Sequence, residues 1–369
     1  MLFNNNTYVL LALAVAFLIS FSATPMVMSL AYKINAIDVP KDARRVHKKP
    51  IPLIGGLAIF YGFIVSVLCF ATIDIVTMGI LLGCVVIVTV GVIDDMNNMK
   101  AIVKLLCQIL AAAIVIKCGV RIEHFANPLS GWVGPPYIIL NYWVSCAVTL
   151  VWIVGVTNAV NLIDGLDGLA VGVSSIASMS LLALTLLSDN LNVAIITAAV
   201  AGAGIGFLPY NFNPAKIFMG DTGALFLGFI LACISVEGFL KMSAVISFAI
   251  PILILGLPIF DTLFAITRRV ATGRSIMSPD RGHLHHRLLD MGFSQKRVVA
   301  ILYTLTAALC LTAVVMSIKG YGRGLILITA VLVIILVSVK LMEQLKDPKK
   351  NGAYNELELS EEEQTDEEN

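Results

Sequence analysis

The chain has 369 residues, of which 58% are apolar and only 13% are charged, and its mean hydropathy is +0.92. A soluble protein of this length would carry about a quarter charged residues, so the composition excludes an ordinary soluble enzyme and predicts a polytopic helical membrane protein. The formal net charge of +1 conceals a basic body, because eight acids and no bases follow Asn351. Such a body suits anionic lipids and anionic substrates. A nucleic-acid partner is not expected.

Eleven apolar segments are long enough to cross a bilayer as helices. They cover roughly 7–31, 53–71, 76–93, 101–118, 137–157, 168–187, 191–208, 222–240, 243–267, 298–317 and 324–342. With the N-terminus outside, the inner loops and ends hold 20 Lys and Arg residues against 5 outside, which predicts a cytosolic C-terminus. Residues 1–350 are therefore predicted to form one transmembrane domain and 351–369 a disordered acidic cytosolic tail. The outer loop 127–136 is rich in turn residues, which indicates a short hairpin.

Two carboxylates stand out in the stretch Asn158–Ala170. Asp164 and Asp167 are three residues apart, each is followed by glycine, and no Lys or Arg occurs from 122 to 215. Unpaired carboxylates at a membrane boundary are costly unless they face water, a metal or a cation from elsewhere in the chain. The stretch therefore indicates a functional site.

Five acids share one predicted location, the cytosolic ends of spans: Asp94, Asp95, Asp164, Asp167 and Asp221. Carboxylates gathered on one side without Cys ligands indicate a site for a hard cation. Mg²⁺ is expected because it shares its ligand shell with waters and phosphate oxygens, and Mn²⁺ is the alternative ion. The competing interpretation is that each acid merely caps a helix, as Asp often does.

Basic residues accompany these acids on the same predicted side. His283, His285 and His286 lie between Arg281 and Arg287, which indicates an anion-binding element, although a zinc site is the alternative. No His-Glu-x-x-His pattern or Cys partner supports zinc, and no P-loop motif supports a nucleoside triphosphatase. A cation with Lys, Arg and His at a membrane surface suits phosphoryl transfer between a soluble and a lipid substrate.

Four ordered motifs match a known family. They are Gly91-Val-Ile-Asp-Asp95, Asn158–Gly168, Asn211–Gly223 and Arg281-Gly-His-Leu-His-His286. On these motifs the chain resembles the polyprenyl-phosphate N-acetylhexosamine-1-phosphate transferases. The resemblance implies a helical bundle of about 11 transmembrane helices with a cytosolic active-site cleft and a lipid groove. Because one Leu interrupts the histidines, the chain looks like the branch that uses UDP-GlcNAc rather than the pentapeptide translocase branch.

The implied reaction moves GlcNAc-1-phosphate from UDP-GlcNAc to undecaprenyl phosphate and releases UMP, as the first membrane step of a cell-envelope polymer such as teichoic acid or O-antigen. The resemblance places Asp94 and Asp95 beside the lipid phosphate, with Asp94 favoured as the base or orienting group. It implies Asp221 and Asn161 as Mg²⁺ ligands. The implied substrate-binding residues are Lys48, Lys104, Asp164, Asp167, Asn211, Phe218, Arg281, His283, His285 and His286.

Within that last set, Asp164, Asp167 and Phe218 would surround the uridine, and Asn211 and Lys104 would contact phosphates. Direct attack and an aspartyl-phosphate intermediate both stay open. An ion-coupled transporter is the alternative function, although the acids cluster at one face and no inverted repeat is visible. A CDP-alcohol phosphotransferase would need an Arg soon after the first Asp-Gly, which is absent here. Another UDP-N-acetylhexosamine donor, the polymer and the oligomeric state, with a homodimer as one alternative, are not decided by the sequence.

Overall fold

The computed structural model describes residues 5–39, 50–126, 137–187, 190–240, 249–273, 275, 282–320, 322–331 and 333. Most of these residues are helical. The helices are α1 Asn5–Lys33, α2 Gly56–Phe70, α3 Ile75–Asn97, α4 Ala101–Lys117, α5 Tyr142–Leu162, α6 Leu169–Thr185, α7 Leu191–Asn211, α8 Gly220–Ser235, α9 Ala249–Ile254, α10 Gly256–Ala271, α11 Leu284–Asp290, α12 Gln295–Lys319 and α13 Gly322–Val331. A π-helical turn, Val236–Leu240, extends α8.

Four short strands form two antiparallel pairs in the described residues. Strand β1, Ile37–Asp38, pairs with β2, Ile51–Pro52. Strand β3, His124–Ala126, pairs with β4, Tyr137–Ile139. The second pair flanks the loop for which a hairpin is predicted, and residues 127–136 themselves lie outside the described part of the chain.

Six of the described helices are long and apolar enough to cross a membrane: α1, α3, α5, α7, α8 with its π-helical turn, and α12. Helices α2, α6 and α13 are shorter apolar helices. The prediction of a multi-pass helical membrane protein is confirmed, whereas the number of eleven spans stays a prediction. The acidic tail lies outside the described residues.

Two predicted spans differ from the helices found. Helix α5 begins five residues later than predicted because the Asn141 side chain accepts a hydrogen bond from Val144 N (2.9 Å) and caps it. It also runs on to Leu162, so Asn158 and Asn161 are helical. The span predicted over 243–267 is divided into α9 and α10, since Pro258 has no N–H to continue the hydrogen-bond ladder.

Helix α8 is buried among α2, α3, α5 and α6, and no residue from Thr222 to Ser235 is exposed. Glycines allow α2 and α3 to reach its first turn. A Cβ atom added to Gly91 would lie 2.7 Å from Thr222 N, and one added to Gly56 would lie 2.6 Å from Thr222 C. The glycine that begins the Gly91–Asp95 motif therefore brings the two acids of α3 against the start of α8.

Candidate active site

A cleft of about 1110 Å³ opens at the end of the bundle where α3 and α5 end and α8 begins. The five acids that the sequence predicts to share one side all line it: Asp94, Asp95, Asp164, Asp167 and Asp221. Asn161, Asn211, Phe218 and His286 line it as well. The prediction that these acids meet at one end of the bundle is confirmed.

Lys104 joins two of the acids that line the cleft. Its ammonium pairs with Asp94 Oδ2 (2.5 Å) and also with Asp221. Asn161 Nδ2 donates a hydrogen bond to Asp221 Oδ1 (2.6 Å). Four helices, α3, α4, α5 and α8, each supply one of these side chains, which we call the acid centre. One cation compensates two carboxylates that the membrane boundary would otherwise disfavour.

Asp95 is used differently from Asp94. Its Oδ1 accepts a hydrogen bond from Asp221 N (2.8 Å), and its Oδ2 accepts from Thr222 N (3.1 Å) and Thr222 Oγ1 (2.6 Å). Asp95 thus caps two N–H groups in the first turn of α8 from a neighbouring helix. The capping interpretation therefore applies to this acid, whereas Asp94 accepts a hydrogen bond from Met99 N at Oδ1 (2.5 Å) and pairs with Lys104 at Oδ2. By holding the first turn of α8, Asp95 aims Asp221 at the cleft.

A pair of amides lies one helical turn deeper than the acid centre. Asn158 Nδ2 donates to Gln108 Oε1 (2.6 Å), and Gln108 Nε2 donates back to Asn158 Oδ1 (3.3 Å). Gln108 follows Lys104 by one turn on α4, and Asn158 precedes Asn161 by one turn on α5. The reciprocal bonds therefore set the spacing between the two helices that carry Lys104 and Asn161.

The loop between α5 and α6 carries Asp164. No hydrogen-bond donor among the described residues reaches its carboxylate. Burial, together with the charges of Asp221, Asp95 and Asp167, raises the pKa of Asp164 to about 8. A cation that enters the cleft would therefore stabilise the ionised form of Asp164.

Asp167 and Asn211 hold the loops around the cleft. Asp167 Oδ2 accepts hydrogen bonds from Asn213 Nδ2 (2.9 Å) and Ala215 N (3.0 Å), which leaves Oδ1 for a ligand. Asn211 is buried, its Oδ1 accepts from Gly168 N (3.1 Å), and its Nδ2 donates to Ile217 O (2.9 Å). Both polar ends of Asn211 are therefore engaged within the protein, which favours a loop-holding role over the predicted phosphate contact.

The three histidines are arranged in depth rather than around one mouth. His286 lines the cleft, whereas His283 and His285 are buried behind it. His285 packs against Gly165, where an added Cβ would lie 2.9 Å from its Cε1. Burial, followed by the charge of His286, lowers the pKa of His285 to about 4. His285 is therefore neutral at pH 7, and its ring nitrogens have no hydrogen-bond partner among the described residues.

The chain is similar to known proteins over most of its length. The profile of the family described as glycosyl transferase family 4 matches residues 77–239. A probable undecaprenyl-phosphate N-acetylglucosaminyl 1-phosphate transferase of Bacillus subtilis is 36% identical, over 84% of this chain and 86% of its own length. A decaprenyl-phosphate N-acetylglucosaminephosphotransferase of Mycobacterium tuberculosis is 37% identical, over 78% of this chain and 77% of its own length. A phospho-N-acetylmuramoyl-pentapeptide-transferase of Desulforudis audaxviator is 32% identical, over 85% of this chain and 99% of its own length.

The chain belongs to the polyprenyl-phosphate N-acetylhexosamine-1-phosphate transferases of glycosyl transferase family 4. The family that the four motifs suggest is thereby confirmed. The profile spans α3 to the π-helical turn after α8, and so contains the whole acid centre.

Two of the predicted site residues of this transferase, Lys48 and Arg281, lie outside the described residues. Asn213 and Asp261 contact predicted site residues without having been predicted. Asn213 Nδ2 donates to Gln295 Oε1 (2.8 Å), so that α12 braces the loop held by Asp167. Asp261 carries a signal in the sequence, since a carboxylate inside an apolar segment is itself unusual, and Asn213 lies within the Asn211–Gly223 motif.

Proposed function

We propose that this transferase moves N-acetylglucosamine-1-phosphate from UDP-GlcNAc to undecaprenyl phosphate and releases UMP. The observation that carries the proposal is the acid centre, in which Lys104 bridges Asp94 and Asp221 beside Asn161 at the start of α8. The relatives from Bacillus subtilis and Mycobacterium tuberculosis bear names that support GlcNAc as the sugar and a polyprenyl phosphate as the acceptor. The product would start a cell-envelope polymer such as teichoic acid or O-antigen.

In the proposed reaction an oxygen of the lipid phosphate attacks the β-phosphorus of UDP-GlcNAc. The bond from that phosphorus to the bridging oxygen breaks, and UMP leaves with that oxygen. Asp94 would orient the attacking phosphate and take its proton when it arrives protonated. Lys104 would neutralise charge on the phosphates, which otherwise repel each other and the acids. Little covalent chemistry is required of the protein beyond this positioning.

The acceptor would approach along the ends of α3 and α4. Exposed apolar side chains flank the acid centre there, with Ile93 and Met96 on α3 and Ile102 and Leu106 on α4. An apolar prenyl chain can remain against these side chains in the membrane while its phosphate reaches Asp94 and Lys104. The basic inner loops support a cytosolic site and an outer N-terminus.

The donor chemistry of the site suits Mg²⁺, with Mn²⁺ as the alternative. Asp221 would supply a carboxylate oxygen and Asn161 its amide oxygen, since Asn161 uses its nitrogen toward Asp221. The described residues contain no cluster of three or more His, Cys, Asp or Glu ligands. Mg²⁺ needs only one or two carboxylates when phosphates and waters complete its shell, whereas a structural zinc site needs more protein ligands. When bound, the ion would neutralise the diphosphate.

The proposal is tested with the purified full-length protein in detergent, undecaprenyl phosphate and Mg²⁺. UDP-GlcNAc should yield UMP and a lipid whose mass equals that of undecaprenyl-diphospho-GlcNAc. UDP-GalNAc and UDP-MurNAc-pentapeptide run beside it, because the Desulforudis audaxviator relative makes the pentapeptide donor the main competitor. Transfer from the pentapeptide alone would overturn the GlcNAc assignment. Uptake of intact UDP-GlcNAc into proteoliposomes without UMP release would instead support a transporter.

A further inference from the structure

Asp261 is the acid of helix α10, and the proposed chemistry does not use it. On α10, Phe260, Leu263 and Phe264 are exposed, while Asp261, Ala265 and Arg269 are buried. The helix thus turns its apolar face outward and its charged face toward the protein. An acid is kept in such a place only where specific partners compensate its desolvation.

Those partners belong to residues 282–286, which we call the histidine segment. Asp261 Oδ2 lies 2.9 Å from His283 Nδ1, and Asp261 Oδ1 accepts a hydrogen bond from Leu284 N (2.8 Å). One carboxylate therefore fixes an imidazole and the first backbone N–H of α11 together. Seven residues further along α10, Arg268 donates to the carbonyl oxygen of Gly282 (2.8 Å). Two side chains on one face of α10 thus tether three consecutive residues, 282–284.

The tether continues to the cleft through ring contacts. The rings of His283 and His285 are stacked, with centroids 5.9 Å apart and planes 11° apart. His285 in turn contacts His286, with centroids 4.3 Å apart. His285 also packs against Gly165, next to Asp164 in the loop between α5 and α6. Of the three histidines, only the last one reaches the cleft.

We propose that Asp261 is a positioning residue of the transferase, which holds the histidine segment so that His286 faces the bound donor. The identity of the donor in this inference rests on the proposed function, whereas the geometry of the histidine segment does not. Asp261 lies behind the histidines and touches no substrate. Its carboxylate accepts the Nδ1–H of His283, which fixes that ring and, through the stack, the rings in front of it.

The first test measures the histidine segment without any substrate. Diethyl pyrocarbonate modifies accessible neutral histidines, and peptide mass spectrometry gives the rate at each position. In the wild type, His286 should react faster than the buried His283 and His285. Asp261→Ala should raise the rates at His283 and His285 toward that of His286. Thr262→Val is the matched control, because the Thr262 hydroxyl is buried next to Asp261 and has no hydrogen-bond partner among the described residues.

The second test is kinetic. Asp261→Ala should lower kcat about 10- to 100-fold, since displacement of a group by about 1 Å can cost a hundredfold. The KM for undecaprenyl phosphate should stay within about twofold, because the acceptor is expected at Asp94. His283→Ala should produce the same loss, and the double variant should lose no more than either single variant. Asp261→Asn keeps one acceptor oxygen and should give an intermediate kcat, which also serves if the Ala variant does not fold.

Unchanged histidine reactivity in both Asp261 variants would overturn the inference, and so would an unchanged kcat. Additive losses in the double variant would also overturn it, since Asp261 would then act other than through His283. A wild type that is inactive with every donor would overturn the proposed function instead, while the modification rates would still decide the role of Asp261.

Discussion

Helices α8 and α11 are each capped by an aspartate from a neighbouring helix. Asp95 of α3 caps α8, and Asp261 of α10 caps α11. The outcome differs. At α8 the cap leaves Asp221 facing the cleft, paired with Lys104. At α11 the carboxylate of Asp261 also contacts His283, which is buried. Of the three histidines, only His286 faces the cleft.

The difference separates two kinds of polar residue in this membrane enzyme. In the acid centre, charges compensate one another beside the cleft that Asp94 and Asp221 line, so their removal should affect the chemistry. In the histidine segment, polar atoms are used within the protein to hold a position, so their removal should affect order and stability first. The cost of a buried unpaired polar group explains why N–H groups in the first turn of each helix receive a carboxylate acceptor.

The largest effect is expected at Asp221. Asp221→Asn keeps the size of the side chain but removes the charge that pairs with Lys104 and would hold the cation. UMP release should fall by at least about 10³-fold at every Mg²⁺ concentration, the scale lost with a main electrostatic element of an active site. Glu123→Gln is the control, since it changes an exposed acid outside the cleft in the same way. Turnover by Asp221→Asn close to that of the control would remove Asp221 from the metal site.

The next effect contrasts two acids of the cleft. Asp94→Asn should lower kcat about 10²- to 10³-fold, the contribution of an acid–base group, with little change in UMP affinity. Asp167→Ala should instead raise the KM for UDP-GlcNAc about tenfold to a hundredfold, because one charged hydrogen bond is lost and the Asn213 loop is released. Steady-state kinetics at saturating lipid, with calorimetry of UMP binding, separate the two. Loss of UMP binding only in Asp94→Asn would reverse the two assignments.

The smallest effect concerns the stability of the histidine segment. The pKa of His285 is lowered to about 4, whereas an unfolded histidine titrates near 6.5. Between these values the unfolded state binds a proton that the folded state does not, so stability should be full above about pH 6.5 and fall toward pH 4. The loss should reach about 2–3 kcal/mol. His285→Gln should show a shallower fall in its thermal unfolding midpoint over this window, and equal slopes for both proteins would contradict a buried neutral His285.

The sequence by itself determined the class, the motifs and the acids that share a side. Apolar runs interrupted by few charges allow only spanning or buried helices, and the order of boundary acids along the chain places them at alternate helix ends on one side. The four motifs were sufficient to identify the family. The start of α5 was not located from the sequence, because the capping residue Asn141 lies inside the predicted span and moves the start of the helix five residues along the chain.

The tertiary structure decided which polar atom meets which. The sequence shows that Asp94 and Asp95 are adjacent, but only the crossing of α3 with α8 makes one a cap and the other a partner of Lys104. Likewise, three histidines within four residues could surround one mouth, yet the contact with Asp261, 22 residues away, orders them in depth. Hydrogen bonds between distant helices depend on close packing at glycines, and no local pattern encodes their partners.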